Sequence, residues 1–299
     1  MGGSSYSRSY SSASSGKSHS DTSQRHYDNV RKVDKSVLPS GDRRISTDVK
    51  HPIIISLDVT GSMGENTMIV YDKMPVFWGQ LEQKGYLPEG EIAVSFSAVG
   101  DAYTDEAPLQ VTPFEKGLAI DKWLKKIWLE GNGGGQTMES YDLCALFYLT
   151  KASFENMEKG FFFFICDEGP YPELDGKETK EIFQGLSDLF EVYVLHLIYN
   201  NGADEKRIIH DWRQIYGERF LLLKDPKAVV DTMLGIIAMR MGISKDAYLS
   251  DMKNRGQTGK RMDDVAETIN TIPDNLMPVK ASDYSGLLPN RDVFRDRRI

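Results

Sequence analysis

Two short stretches limit the fold of this chain more than any other feature. Pro52-Ile-Ile-Ile-Ser-Leu57 and Phe161-Phe-Phe-Phe-Ile-Cys166 are continuous apolar runs of β-branched and aromatic residues. A strand with one wet face alternates apolar and polar side chains, whereas a strand covered on both faces does not. The runs therefore predict central strands of a parallel sheet. Further strands are expected at Ile92–Phe96, Leu109–Val111, Val192–Ile198 and Phe220–Leu223. Apolar residues at helical spacing fall between them, at 68–81, 118–129 (Trp123, Ile127 and Trp128 inward), 143–149, 182–189, 208–216 and 228–241. Strands alternating with helices predict an α/β fold, an open and mostly parallel sheet flanked by helices on both faces. In such sheets the crevice lies outside the carboxyl ends of the strands, near a switch in strand order. The residues that follow each strand are therefore the ones to inspect.

The first strand runs into Asp58-Val-Thr60-Gly-Ser62-Met63. A carboxylate and two hydroxyls at i, i+2 and i+4 of a tight turn can converge on one hard cation, which prefers oxygen ligands. The phenylalanine-rich strand runs into Asp167-Glu168-Gly-Pro170. Between them a glycine-rich loop, Gly133-Gly-Gly-Gln-Thr137-Met-Glu139-Ser-Tyr141, enters a helix and offers Thr137 and Glu139. Taken singly, an Asp after a strand is most often a turn or helix-capping residue. Three loops bringing oxygens to one rim favour a metal site instead.

This set, Asp58-x-Thr60-x-Ser62 followed by Thr137 and then Asp167, resembles a von Willebrand factor type A (VWA) domain with a metal-ion-dependent adhesion site, of the bacterial or phage intracellular type. The resemblance covers about 190 residues, 51–241. It implies a Rossmann-like, doubly wound sheet and a Mg²⁺ (or Mn²⁺) ion held by Asp58, Thr60, Ser62, Asp167 and a second-loop ligand. In one branch of the family that ligand is the Thr after the glycines, here Thr137; in another it is a Glu shortly before the helix, here Glu139. Thr60 stands where the family pattern has Ser and keeps the hydroxyl. The resemblance further implies a protein partner that completes the ion's coordination with its own Asp or Glu. Intracellular relatives often act as adaptors beside AAA+ ATPases of the MoxR or chelatase type.

The flanks differ from this domain. Residues 1–24 hold eleven serines and almost no aliphatic side chain, so 1–47 are read as a disordered, Ser-rich tail, its second half (Val30, Val33, Val37, Leu38) available to lie on the domain. The domain is then 48–241, and 242–299 a helical arm or extension with one short helix at 262–272.

Net charge is −8, but residues 1–50 carry +4 while the middle two hundred residues carry −13. An acidic core repels phosphate backbones, so nucleic acid is not expected as its partner. Neither a membrane span nor a secretory leader is read in the chain. The two cysteines, Cys144 and Cys166, are read as small core hydrophobes of a reducing, cytoplasmic setting. His196 is read as a satisfied core histidine and Glu168 as a solvated or supporting group rather than a ligand.

The glycine loop lacks the Lys-Ser/Thr ending of a phosphate-binding loop. Thr60 occupies the place of the second Asp that haloacid-dehalogenase-type phosphatases require. A binding role rather than an enzyme is therefore expected. The alternatives are a metal-dependent phosphoryl-transfer or hydrolytic enzyme, and a structural or virion-associated scaffold acting through its tails.

Overall fold

The computed structural model describes residues 33–131, 138–174, 176–198 and 202–276. In chain order the strands are β1 (Ile45–Thr47), β2 (His51–Asp58), β3 (Ile92–Val99), β4 (Leu109–Val111), β5 (Met138–Glu139), β6 (Ala152–Phe154), β7 (Gly160–Cys166), β8 (Gly169–Pro170), β9 (Glu173–Leu174), β10 (Lys177–Glu178), β11 (Phe190–Leu197) and β12 (Phe220–Leu223). The helices are α1 (Glu65–Tyr71), α2 (Met74–Lys84), α3 (Leu118–Leu124), α4 (Tyr141–Thr150), α5 (Thr179–Leu189), α6 (Ala203–Tyr216), α7 (Val229–Arg240), α8 (Lys245–Asn254) and α9 (Lys260–Asn270).

Six strands form the main sheet in the order β12-β11-β7-β2-β3-β4. All neighbours are parallel except β4, which runs antiparallel to β3. Every residue of β2, β7 and β11 is buried. Alternation along these strands sorts two cores. Ile53, Ile55, Leu57, Phe161, Phe163, Ile165, Tyr193 and Leu195 meet α1, α2, α3 and α7. Ile54, Phe162, Phe164, Cys166, Val192 and Val194 meet α4, α5 and α6. An apolar run without alternation is thus what two covered faces require, and the mixed α/β sheet flanked by helices is as the sequence predicts.

Three helices differ from the expected pattern. The helix expected over 68–81 is two helices, because Pro75 sits in the first turn of α2. It lacks an N–H, and its ring opposes the carbonyl four residues back, so α1 stops at Tyr71 and the helix restarts. The helix expected over 118–129 ends at Leu124; Ile127 is buried in the segment beyond it, while Trp123 and Trp128 are half-buried. Finally, α8 was not anticipated by periodicity. It nevertheless places Tyr248 and Met252 fully buried in the same core as Val265 and Ile269 of α9.

The part of the N-terminal flank within the described residues lies against the sheet. Val37 is fully buried, its carbonyl accepts the Val111 amide at 2.7 Å, and Arg43 donates to the carbonyls of Val37 and Val111. β1 pairs in parallel with β6. Residues 1–32 and 277–299 lie outside the described residues.

Candidate metal centre

The strand order reverses between β2 and β7: the chain moves from β2 to β3 and β4 on one side, then returns to β7, β11 and β12 on the other. Leu57 is in register with Ile165, so Asp58 and Asp167 leave adjacent parallel strands at the same end of the sheet. Asp58 is the last residue of β2 and Asp167 the first beyond β7, and the strands behind them are locked by pairing on both sides.

The first loop folds back on its own carboxylate. Asp58 is fully buried, and its Oδ1 accepts the Thr60 amide at 2.9 Å and the Thr60 hydroxyl at 2.6 Å. The Thr60 and Ser62 hydroxyls are 3.1 Å apart, and Ser62 donates to Asp167 Oδ1 at 3.1 Å. Thr67 on α1 donates to the Asp58 carbonyl at 3.2 Å, which ties the helix start to the strand end. The four candidates Asp58, Thr60, Ser62 and Asp167 therefore form one continuous polar chain across the two loops.

Backbone bonds draw in the remaining loops. The Val59 amide donates to Val99 O and the Gly131 amide to Val59 O, which brings Gly131 beside the first loop. The Ser140 amide donates to Gly100 O, and the Ala102 amide donates to Ser140 Oγ at 3.0 Å. β5 pairs with β8, setting Glu139 opposite Pro170. Glu139 is 1% exposed, and its Oε2 has no hydrogen-bond partner among the described residues. Thr137, the other second-loop candidate, lies outside the described residues.

The electrostatics of this rim are those of carboxylates short of counter-charge. Burial, and then the neighbouring Asp58, pushes Asp167 up to about 9. Burial, followed by Asp58, Asp101 and Asp105, pushes Glu139 up to about 11. Asp58 is also raised by burial, against the hydrogen bonds from Thr60 and Tyr141. Half-buried Glu168 is raised to about 7 by burial and by Asp58. A divalent cation among these groups would reverse that balance, since it favours the ionised carboxylates and their oxygens. The donor chemistry, carboxylates and hydroxyls on short side chains, fits Mg²⁺ or Mn²⁺. Among the described residues no group of three or more His, Cys, Asp and Glu side chains is placed to hold a metal ion. The set here differs in kind, with two carboxylates joined through two hydroxyls.

Sequence reasoning passed over two contributors. Tyr141, 1% exposed, donates its hydroxyl to Asp58 Oδ2. Asp101, at the end of β3, is 2% exposed and accepts the Tyr103 amide and the Tyr171 and Thr104 hydroxyls. The rule that sites follow strand ends points to Asp101; nothing in the spacing points to Tyr141. His196 is fully buried with Nε2 paired to Glu205, but its Nδ1 has no hydrogen-bond partner among the described residues, so this core histidine is satisfied at one ring nitrogen only. Cys144 and Cys166 are both free and buried. A hollow of about 390 Å³ lined by Arg213, Phe220, Leu222 and Thr268 runs along β12 and shares no residue with this rim.

No family model matches the chain. No curated protein matches it. Among solved structures it is similar to the pilus adhesin SpaC from Lactobacillus rhamnosus GG in its open conformation, with 11% identity and a TM-score of 0.47 over 67% of this chain and 31% of the adhesin. A second SpaC structure gives 12% identity and a TM-score of 0.46, over 67% of this chain and 32% of the adhesin. This chain thus spans about a third of that adhesin's length.

Proposed function

We propose that the chain is a VWA-type module, Rossmann-like and doubly wound, that holds Mg²⁺ or Mn²⁺ at the β2–β7 switch and uses it to bind a protein partner. The observation that carries this reading is the polar chain Asp58–Thr60–Ser62–Asp167 between the ends of two adjacent buried strands. Asp58, Thr60, Ser62 and Asp167 would hold the ion, with Glu139 or Thr137 as the second-loop ligand. When bound, the ion supplies an open position that favours an anionic oxygen.

The rest of the work belongs to the protein. Asp58 and Asp167 supply the negative charge, Thr60 and Ser62 hold the two loops at one spacing, and the β5–β8 pair keeps the second loop against the third. A partner's Asp or Glu would then complete the site. On this reading the chain binds rather than catalyses, as a cytoplasmic adaptor, and an AAA+ ATPase of the MoxR or chelatase type is the expected class of partner. The acidic middle of the chain supports a protein rather than a nucleic acid as that partner. Among the described residues no helix is long and apolar enough to cross a membrane.

The experiment is a pull-down from the native host with wild type, with Asp58→Ala, and with wild type in EDTA. Partners retained only by untreated wild type, and lost when their own Asp or Glu is replaced, support the reading. The same partners in all three samples would sink it and move recognition to the flanks.

A further inference from the structure

Asp58 is held from two directions. Thr60 donates to its Oδ1 through both amide and hydroxyl, while Oδ2 accepts the Tyr141 hydroxyl from the start of α4, 83 residues away. The Tyr141 ring packs against Phe164, with centroids 6.0 Å apart, and Trp212 of α6, at 5.4 Å, and those two rings also meet each other at 5.8 Å. Trp212 in turn donates its indole N–H to the Glu168 carbonyl at 2.9 Å. One aromatic group thus grips the carboxylate of the first loop and the backbone of the third.

A buried phenol generally takes a hydrogen-bond partner, and a carbonyl or hydroxyl is enough. Tyr148 of the same helix shows that ordinary solution: its hydroxyl lies 2.7 Å from Ser95 Oγ and 2.8 Å from Ser97 Oγ. Tyr141 instead directs its hydroxyl to a buried carboxylate at the strand end, where any rotation of that carboxylate would redirect both oxygens.

We infer that Tyr141 is a positioning residue of the cation site: by occupying Oδ2 it fixes the plane of the Asp58 carboxylate and so holds Oδ1 on the Thr60–Ser62–Asp167 line. The inference rests on the metal-binding reading above and goes beyond it in assigning a residue that touches no ion. Groups that orient a metal-binding carboxylate without touching the metal typically contribute 10–100-fold to affinity. Orientation also has a signature that general destabilisation lacks. Mg²⁺ requires near-ideal octahedral oxygens, whereas Ca²⁺ accepts six to eight in looser arrangements. Loss of orientation therefore weakens Mg²⁺ more than Ca²⁺.

The test is calorimetric titration of Mg²⁺ and of Ca²⁺ into wild type, Tyr141→Phe and Tyr148→Phe, with metal-free melting curves to establish folding. Tyr141→Phe is expected to bind Mg²⁺ about 10–100-fold more weakly and to lose part of the preference for Mg²⁺ over Ca²⁺. Tyr148→Phe should keep both values. Wild-type affinities in Tyr141→Phe, or losses in both variants that affect the two ions in equal proportion, would overturn the inference. Should Tyr141→Phe fail to fold, Tyr141→3-fluorotyrosine carries the same test, because it keeps the ring and alters how strongly the hydroxyl donates to Asp58 Oδ2. An unchanged ion affinity and preference there would also overturn the inference. Wild type that binds neither ion overturns the metal reading itself, a result distinct from any of these.

Discussion

The Ser62 hydroxyl donates to Asp167 Oδ1 at 3.1 Å across 105 residues of chain, and this bond joins the ends of the two central strands. Ser62 is only half-buried while Asp167 is 3% exposed, so the hydroxyl stands between solvent and a buried carboxylate. Ser62→Ala removes that donor and one oxygen of the polar chain. The expected outcome is Mg²⁺ affinity reduced roughly tenfold or more, with a metal-free melting temperature close to wild type, both measurable by calorimetry. Ser62→Thr should restore most of the affinity.

Asp167→Asn is expected to act in opposite directions on fold and site. Burial and the neighbouring Asp58 oppose ionisation of Asp167, so a neutral isostere should leave the metal-free fold as stable as wild type or more so. Metal binding should nevertheless be lost. Metal-free denaturant curves beside a Mg²⁺ titration check this, and a strongly destabilised Asp167→Asn would show that the carboxylate is held by compensation the account omits.

At the opposite end of the sheet a buried acid is fully compensated. Glu191 at the start of β11 accepts from Arg240 at 2.7 Å and pairs with Arg219. Burial raises its pKa, but the two guanidinium groups outweigh burial and hold it below the ordinary 4.5. A depressed carboxyl contributes stability that is present above its unfolded value and lost as pH falls through its folded value. Wild type should therefore lose stability on acidification below about 4.5 more steeply than Glu191→Gln. At pH 7 the variant should be less stable by about 1.5–3 kcal/mol, because two half-buried guanidinium groups lose a charged hydrogen-bond acceptor.

Gly235 of α7 lets α8 approach. A Cβ there would stand 2.7 Å from Tyr248 Cε1, and Tyr248 is fully buried. Gly235→Val is expected to cost about 1–3 kcal/mol by overpacking. Combined with Tyr248→Ala, its cost should fall, giving a coupling above about 0.5 kcal/mol in a double-mutant cycle.

Residues 33–47 should also contribute measurably. A chain beginning at residue 48 loses buried Val37 and the Arg43 hydrogen bonds to Val37 and Val111. Relative to a chain beginning at residue 33, it should melt several degrees lower, at roughly 2–4 °C per kcal/mol for a domain of this size.

The central strands are legible in the sequence because burial on both faces writes itself as an unbroken apolar run, as in Ile53–Ile55 and Phe161–Phe164. Asp58 and Asp167 are legible because each directly follows such a run. By contrast, α8 contributes few apolar side chains, Tyr248 and Met252 being buried among Lys, Asp and Ser, too sparse for a periodic pattern. Tyr141 is silent for another reason: its bond to Asp58 depends on how α4 lies over the sheet, and one tyrosine at a helix start reads the same whatever its hydroxyl meets. The break before α2 could be read in Pro75, which periodicity alone overrides.

The most direct measurement of the central claim is thermal unfolding of wild type and Asp58→Ala with and without Mg²⁺, beside a calorimetric titration. A ligand that binds only the folded state at a hundred times its Kd stabilises by about 2.7 kcal/mol, roughly 5–10 °C for a domain of this size. The account predicts a rise of that order in wild type and none in Asp58→Ala. A wild type whose melting temperature ignores both Mg²⁺ and Mn²⁺, with no heat of binding for either, would contradict it.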